Sequence, residues 1–131
     1  MNKIKIAQLN AHSITNKIFE INEYLSTNKI DILCINETFL HSQNKHINLL
    51  KNYKIIRCDR IGRLGGGVAI ILNNNIRFKL LKQKSSKNIE YIALELFNNN
   101  EKIILINAYA QPKSKTKFGF LNQFKKCQTT N

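Results

Sequence analysis

From Ile30 to Ile35 the chain is apolar at every position except Asp31, and this run limits the possible folds more than any other feature of the sequence. A strand with one wet face alternates polar and apolar residues, whereas a strand that is apolar almost throughout must be covered on both faces. Two layers therefore have to pack against it. Upstream, Ile4, Ile6 and Leu9 make a short strand that ends at Asn10. Between the two strands, Ile14, Ile18, Ile21 and Leu25 recur at helical spacing, with Lys17, Glu20 and Glu23 outside the stripe and Ser13 or Thr15 placed to cap the helix. Asn28 and Lys29 break that pattern. Strand, helix and strand form a crossover, whose strands are parallel and whose connection is right-handed. Asn10 and Glu37 should then emerge at the same edge of the sheet.

The remainder is strand-rich. Segments 53–58, 67–72, 89–96 and 103–109 are short, β-branched and bounded by turn formers such as Gly65, Gly66 and the Asn runs at 73–75 and 98–100. Their short polar connections predict antiparallel hairpins, with residues 77–81 as a further strand. Phe118, Leu121 and Phe124 suggest a final amphipathic helix. The fold class expected is α/β: part of a two-sheet sandwich with a mixed sheet and flanking helices, in one domain over 131 residues.

The formal charge of +13 favours anionic partners, nucleic acid above all, although the abundance of Lys, Asn and Ile also fits an A/T-rich coding sequence. Cys34, Cys58 and Cys127 are odd in number and lack zinc or disulfide spacing, which points to reduced thiols. The start lacks the continuous apolar stretch of a signal peptide, and no later run is long enough to span a bilayer. An intracellular protein without membrane contact is the expectation.

Polar groups at the strand ends are the candidates for chemistry. Glu37 directly follows the run DILCIN and is either a cap of the next turn or a ligand for a hard divalent ion, which prefers carboxylate oxygen and can bind through one protein carboxylate plus a substrate phosphate. Asn10 either closes a turn through its amide or offers a donor and an acceptor to a phosphate or a metal-bound water. Tyr109 ends a third strand, as an ordinary aromatic or as a hydroxyl donor to phosphate. In the segment DRIGRLGGGVAII, Arg60 and Arg63 can present guanidinium groups to phosphates and three glycines permit close backbone approach. The alternative is a glycine-rich turn with solvated arginines. It is not a Walker loop, because no GxxxxGK[ST] pattern is present.

Taken in order, QLNAHSITNK, DILCINETFL, CDRIGRLGGGVAIILNNNI, NIEYIALEL and ILINAYAQP resemble the first half of the endonuclease/exonuclease/phosphatase domain, and most of all its form in jockey-like non-LTR retrotransposons. The resemblance covers nearly everything from Lys5 to Pro112. It implies that Asn10, Glu37 and Tyr109 belong to a catalytic site, that Glu37 and Asn10 serve a Mg²⁺ or Mn²⁺ ion, and that Arg60 and Arg63 match a turn near the nucleic acid. The implied reaction is hydrolysis of a DNA phosphodiester, the nick priming reverse transcription; the implied partners are DNA and, in intact relatives, the rest of a retrotransposon polyprotein. Such a protein would work in the nucleus. His12 stands where relatives often carry Arg, and Gln111 where a second Pro is common.

The family's later GDFNA-like and Ser-Asp-His blocks have no counterpart in these 131 residues. A truncated, inactive endonuclease domain is therefore expected, providing little more than one of the two sheets and leaving an apolar sheet face and open edges uncovered. The tail FKKCQTTN matches none of the family's blocks. Two alternatives stand beside this reading: a non-catalytic basic nucleic-acid-binding remnant, and another phosphoesterase of the same superfamily.

Overall fold

The computed structural model describes residues 3–111. The elements are β1 (Ile6–Asn10), α1 (Ile18–Thr27), β2 (Ile32–Asn36), β3 (Tyr53–Cys58), β4 (Val68–Asn73), β5 (Arg77–Ser85), β6 (Ile89–Asn98) and β7 (Glu101–Ala110). One mixed sheet has the strand order β1-β2-β4-β3, with β1 parallel to β2 and the other pairs antiparallel. The second sheet, β5-β6-β7, is antiparallel throughout. This is the α/β two-sheet architecture expected.

All five residues of β2 are buried, because the strand is sandwiched as its composition requires. On one face Leu33 and Ile35 pack, with Ala69 and Ile71 of β4, against Ile14, Ile21 and Leu25 from the crossover. On the other, Ile32 and Cys34 join Val68, Ile70 and Leu72 against Ile92, Leu94 and Leu96 of β6. Each fully buried aliphatic side chain in these layers contributes about 1.5–3 kcal/mol of transfer free energy. The expectation of little more than one sheet is therefore corrected. The hairpins after β4 build three strands of the second sheet, and their inward residues close the apolar face of the first. The open edges are real among the described residues: β1 and β7 are edge strands, and Ile6 and Ile103 on them are 48% and 38% exposed.

The start of α1 differs from the sequence pattern. Ser13 and Thr15 do not cap it. Their hydroxyls bond each other at 3.0 Å, and Lys17 occupies the N-cap with no side-chain bond to the helix. The cause is that residues 11–14 are still tied to the segment after β2: Ala11 N–H donates to Asn36 O (2.9 Å), Ser13 N–H to Glu37 O (2.9 Å) and Ile14 N–H to Thr38 O (3.0 Å). Ile14, the first residue of the helical stripe, thus packs in the core from the bend before the helix, its carbonyl accepting from Lys17 N–H (2.9 Å). β5 also runs further than expected, to Ser85, because a bulge between Leu80 and Lys82 shifts its side-chain alternation. The helix suggested by Phe118, Leu121 and Phe124, and Cys127, lie outside the described residues. Cys34 and Cys58 are buried free thiols in strands. No helix of the described residues is long and apolar enough to cross a membrane.

Candidate active site

Parallel pairing brings Asn10 and Asn36 into register at the common end of β1 and β2, so Asn10 and the following Glu37 do emerge at one edge. Tyr109 arrives from the second sheet. Its hydroxyl donates to Glu37 Oε1 at 2.9 Å, a contact between residues 72 apart in sequence that joins the ends of the two sheets. Burial and the Glu37 carboxylate both push the Tyr109 phenol above its ordinary range, which keeps it a proton donor at neutral pH. Asn10 is exposed, its backbone in register with Asn36, the residue before Glu37.

The backbone at Glu37 lies in the left-handed region (φ 57°), as does Phe39 two residues on (φ 57°). Side chains rarely adopt this conformation, and it persists only where the surroundings dictate it. Here they do. Glu37 O accepts from Ser13 on one side, while Thr38 N–H and Phe39 N–H donate to Gly67 O (3.2 Å) and Gly66 O (2.9 Å) on the other. The glycine-rich turn between β3 and β4 is therefore a clamp on the Glu37 segment. Gly67 (φ 86°) must lack a Cβ, because one would lie 2.5 Å from Thr38 Oγ1; at Gly66 it would overlap the Arg60 guanidinium.

Arg60 and Arg63 part company. The Arg60 side chain is only 7% exposed, and its Nε donates at 2.5 Å to Oε1 of Glu90, whose side chain is 1% exposed. One of its terminal nitrogens, Nη2, is buried with no hydrogen-bond partner. Arg63 is at the surface, donating from Nη2 to Lys87 O at 2.5 Å. Sequence reasoning missed Glu90. The segment IEYIALEL carries two carboxylates, and nothing local separates the buried Glu90 from Glu95, which faces Lys102 at 3.6 Å. It also missed Asn107, 2% exposed, whose amide donates to Ile35 O (3.0 Å) and Ala69 O (2.9 Å) and so stitches the sheets together just beneath Tyr109. Two-residue spacing from Tyr109 on the same strand face was the available signal.

The donors at this edge fit a hard divalent cation. Glu37 supplies a carboxylate, Asn10 an amide, and Asn36 Oδ1 is a buried acceptor with no partner. The set is all oxygen, with no soft ligand. It is also sparse: no group of three or more His, Cys, Asp or Glu suited to a metal occurs among the described residues. One carboxylate would have to be supplemented by water and substrate phosphate.

No family model and no curated protein matches the sequence. Solved structures do. The endonuclease domain of TRAS1, a telomere-specific non-LTR retrotransposon, superposes with a TM-score of 0.69 at 17% identity, over 95% of this chain and 54% of that one. An AP endonuclease from Leishmania major gives 0.65 at 13% identity, covering 95% and 44%, and D. rerio TDP2 complexed with single-strand DNA product gives 0.60 at 12%, covering 100% and 57%. The chain spans about half the length of these structures. Two facing sheets and a parallel β1–β2 crossover are thus the fold that this chain shares with these solved structures, as the family resemblance implied.

Proposed function

We propose that this chain carries one side of a metal-dependent DNA phosphodiesterase site, of the kind that nicks target DNA for a retrotransposon. The observation that supports this most is the Tyr109–Glu37 hydrogen bond across the two sheets, at the strand end where Asn10 pairs with Asn36. A carboxylate held in a left-handed turn by bonds on both sides is costly to build for structure alone. Glu37 and Asn10 would hold a Mg²⁺ or Mn²⁺ ion, which when bound offsets charge developing on the phosphate. Tyr109 has one hydroxyl proton, given to Glu37 in this structure; with a cation on that carboxylate the O–H would be free to turn to a phosphate oxygen, and the exposed Asn10 amide would orient the same group. Arg63 and the overall charge of +13 draw in the polyanion. Buried against Glu90, Arg60 supports the clamp instead of reaching a phosphate.

The same 131 residues are catalytically incomplete in this reading. Residues 110–131 contain no Asp, Glu or His, so they offer no side-chain carboxylate or imidazole to activate water. In a complete enzyme of this kind the substrate is chromosomal DNA, its compartment the nucleus, and the remaining groups come from the rest of a polyprotein.

Incubating the purified chain and Glu37→Ala with supercoiled plasmid, in Mg²⁺ and in EDTA, tests both statements when fluorescence anisotropy of a labelled duplex is followed in parallel. The expected result is salt-sensitive DNA binding without nicking. Nicking lost in EDTA and in Glu37→Ala would uphold the site and overturn its incompleteness. Hydrolysis of p-nitrophenyl phosphate without DNA binding would replace the DNA reading by a small-molecule phosphoesterase, and neither binding nor hydrolysis would remove it.

A further inference from the structure

The turn between β3 and β4 has a second side that the clamp leaves unexplained. Gly66 and Gly67 hold Phe39 and Thr38, but the preceding residues carry Ile61 and Leu64 outward, 80% and 93% exposed. With Phe19 on the helix, these are the most exposed large apolar side chains of the described residues. They touch no core, and exposing them costs hydration free energy that polar residues would avoid. Between them stands Arg63, anchored to Lys87 O, and the open cavity of about 810 Å³ beside the turn is also lined by Lys84 and His41. Of the charged residues lining it, Arg57 is paired with Asp59 and Arg60 with Glu90; Arg63 and Lys84 have no ion-pair partner among the described residues. Two apolar tips thus project from a cationic rim on the turn that grips the Glu37 segment.

We propose that Ile61 and Leu64 form a wedge that enters a groove of duplex DNA and unstacks a base step, while Arg63 and Lys84 hold the flanking phosphates. Apolar side chains inserted between bases, with cations on the backbone either side, kink DNA and bring more of it against the protein. A protein partner fits this surface poorly. The two tips are separated by Gly62 and Arg63 and ringed by charge, whereas an apolar protein interface needs a contiguous patch of several hundred Å². Positive charge left over beside each tip matches the phosphates that line a groove. The wedge rests on the DNA reading proposed above and assigns it a mechanical step: presenting a strained, unstacked position beside the turn that grips the segment after Glu37. Flexible pyrimidine–purine steps such as TpA are the preferred point of entry, because they cost least to unstack.

The full 131-residue chain is titrated into fluorescein-labelled duplexes that carry 2-aminopurine at successive positions across a TpA step, following anisotropy for binding and 2-aminopurine emission for unstacking. Wild type is expected to raise the emission several-fold at one or two positions. Ile61→Ser/Leu64→Ser, whose changes fall on exposed side chains and leave the circular dichroism unaltered, is expected to bind with the same dependence on salt and to give no rise. Arg63→Ala is expected to weaken binding and flatten its salt dependence. Binding without any rise in emission, or a rise that survives in the double variant, overturns the wedge and leaves the DNA reading standing. Absence of binding in low salt overturns both.

Discussion

The interior of the sandwich and its rim are built on opposite terms. Between the sheets the contacts are almost wholly aliphatic, from Ile32, Val68, Ile70 and Leu72 to Ile92, Leu94 and Leu96, none of them measurably exposed. At the rim lie the buried polar residues of the described chain, Asn36 and Thr38 on either side of Glu37 and Glu90 and Asn107 on the facing sheet near Tyr109, together with the left-handed Glu37 and Phe39. Stability is gained in the first region and consumed in the second. A site that must hold a carboxylate in an unfavourable backbone conformation can be maintained because the layers beneath it bury enough apolar surface to offset the strain.

The comparison is broken most directly at the buried ion pair. Arg60→Leu would leave Glu90 charged, buried and alone, at a cost of about 3–5 kcal/mol, and Arg60→Leu/Glu90→Leu should recover most of it. Urea unfolding of the two variants checks this. A single variant that loses less than the double would mean that the pair is not what holds the rim. In the interior, Leu94→Ala should cost about 2–5 kcal/mol through lost burial and an unfilled cavity, and should leave DNA binding by the folded fraction unchanged. If Leu94→Ala weakened DNA binding of folded protein as much as a rim change, the two regions would not be separable.

The glycines sharpen the contrast at smaller scale. Gly67→Ala brings a Cβ to 2.5 Å of Thr38 Oγ1 in a left-handed backbone and should cost about 1–3 kcal/mol. Gly62→Ala shares the positive φ (83°) but meets nothing within 4 Å, so only the backbone penalty of about 1 kcal/mol remains. Equal losses in thermal unfolding would show that conformation alone, and not the clamp on Thr38, accounts for Gly67.

Much of this was readable from the chain, and the division follows the same line. The two-sided burial of β2 follows from local composition, and the crossover rule placed Asn10 and Glu37 at one edge before any coordinates. Interactions that depend on what another element brings were not readable. Ser13 fails as a cap because its backbone is bonded to Glu37, and β5 hides its length behind a bulge. Arg60 gives no local sign of its partner Glu90, which arrives thirty residues later on the opposite sheet. A family resemblance supplies positions for Asn10, Glu37 and Tyr109; it does not supply the pairings that hold them.

The contrast that vanishes at neutral pH separates the two buried thiols. Cys34 is pushed up to about 11 from an ordinary 9.0 by burial alone. Cys58 is raised by burial first and then by the Glu90 and Asp59 carboxylates at the rim. A thiol raised in the folded state contributes its full stability below the unfolded value and loses it as pH rises. Stability should therefore be insensitive to Cys34 below about pH 9 and decline between 9 and 11 by at most about 1.4 kcal/mol per pH unit, a slope that Cys34→Val removes. Added salt should lower the Cys58 value by screening its charged neighbours and leave that of Cys34 in place, because burial is not screened. Thiolate absorbance in variants retaining only one of the two cysteines reads both values. A shift of equal size at Cys34 would place charge inside the sandwich, beside a cluster of apolar side chains.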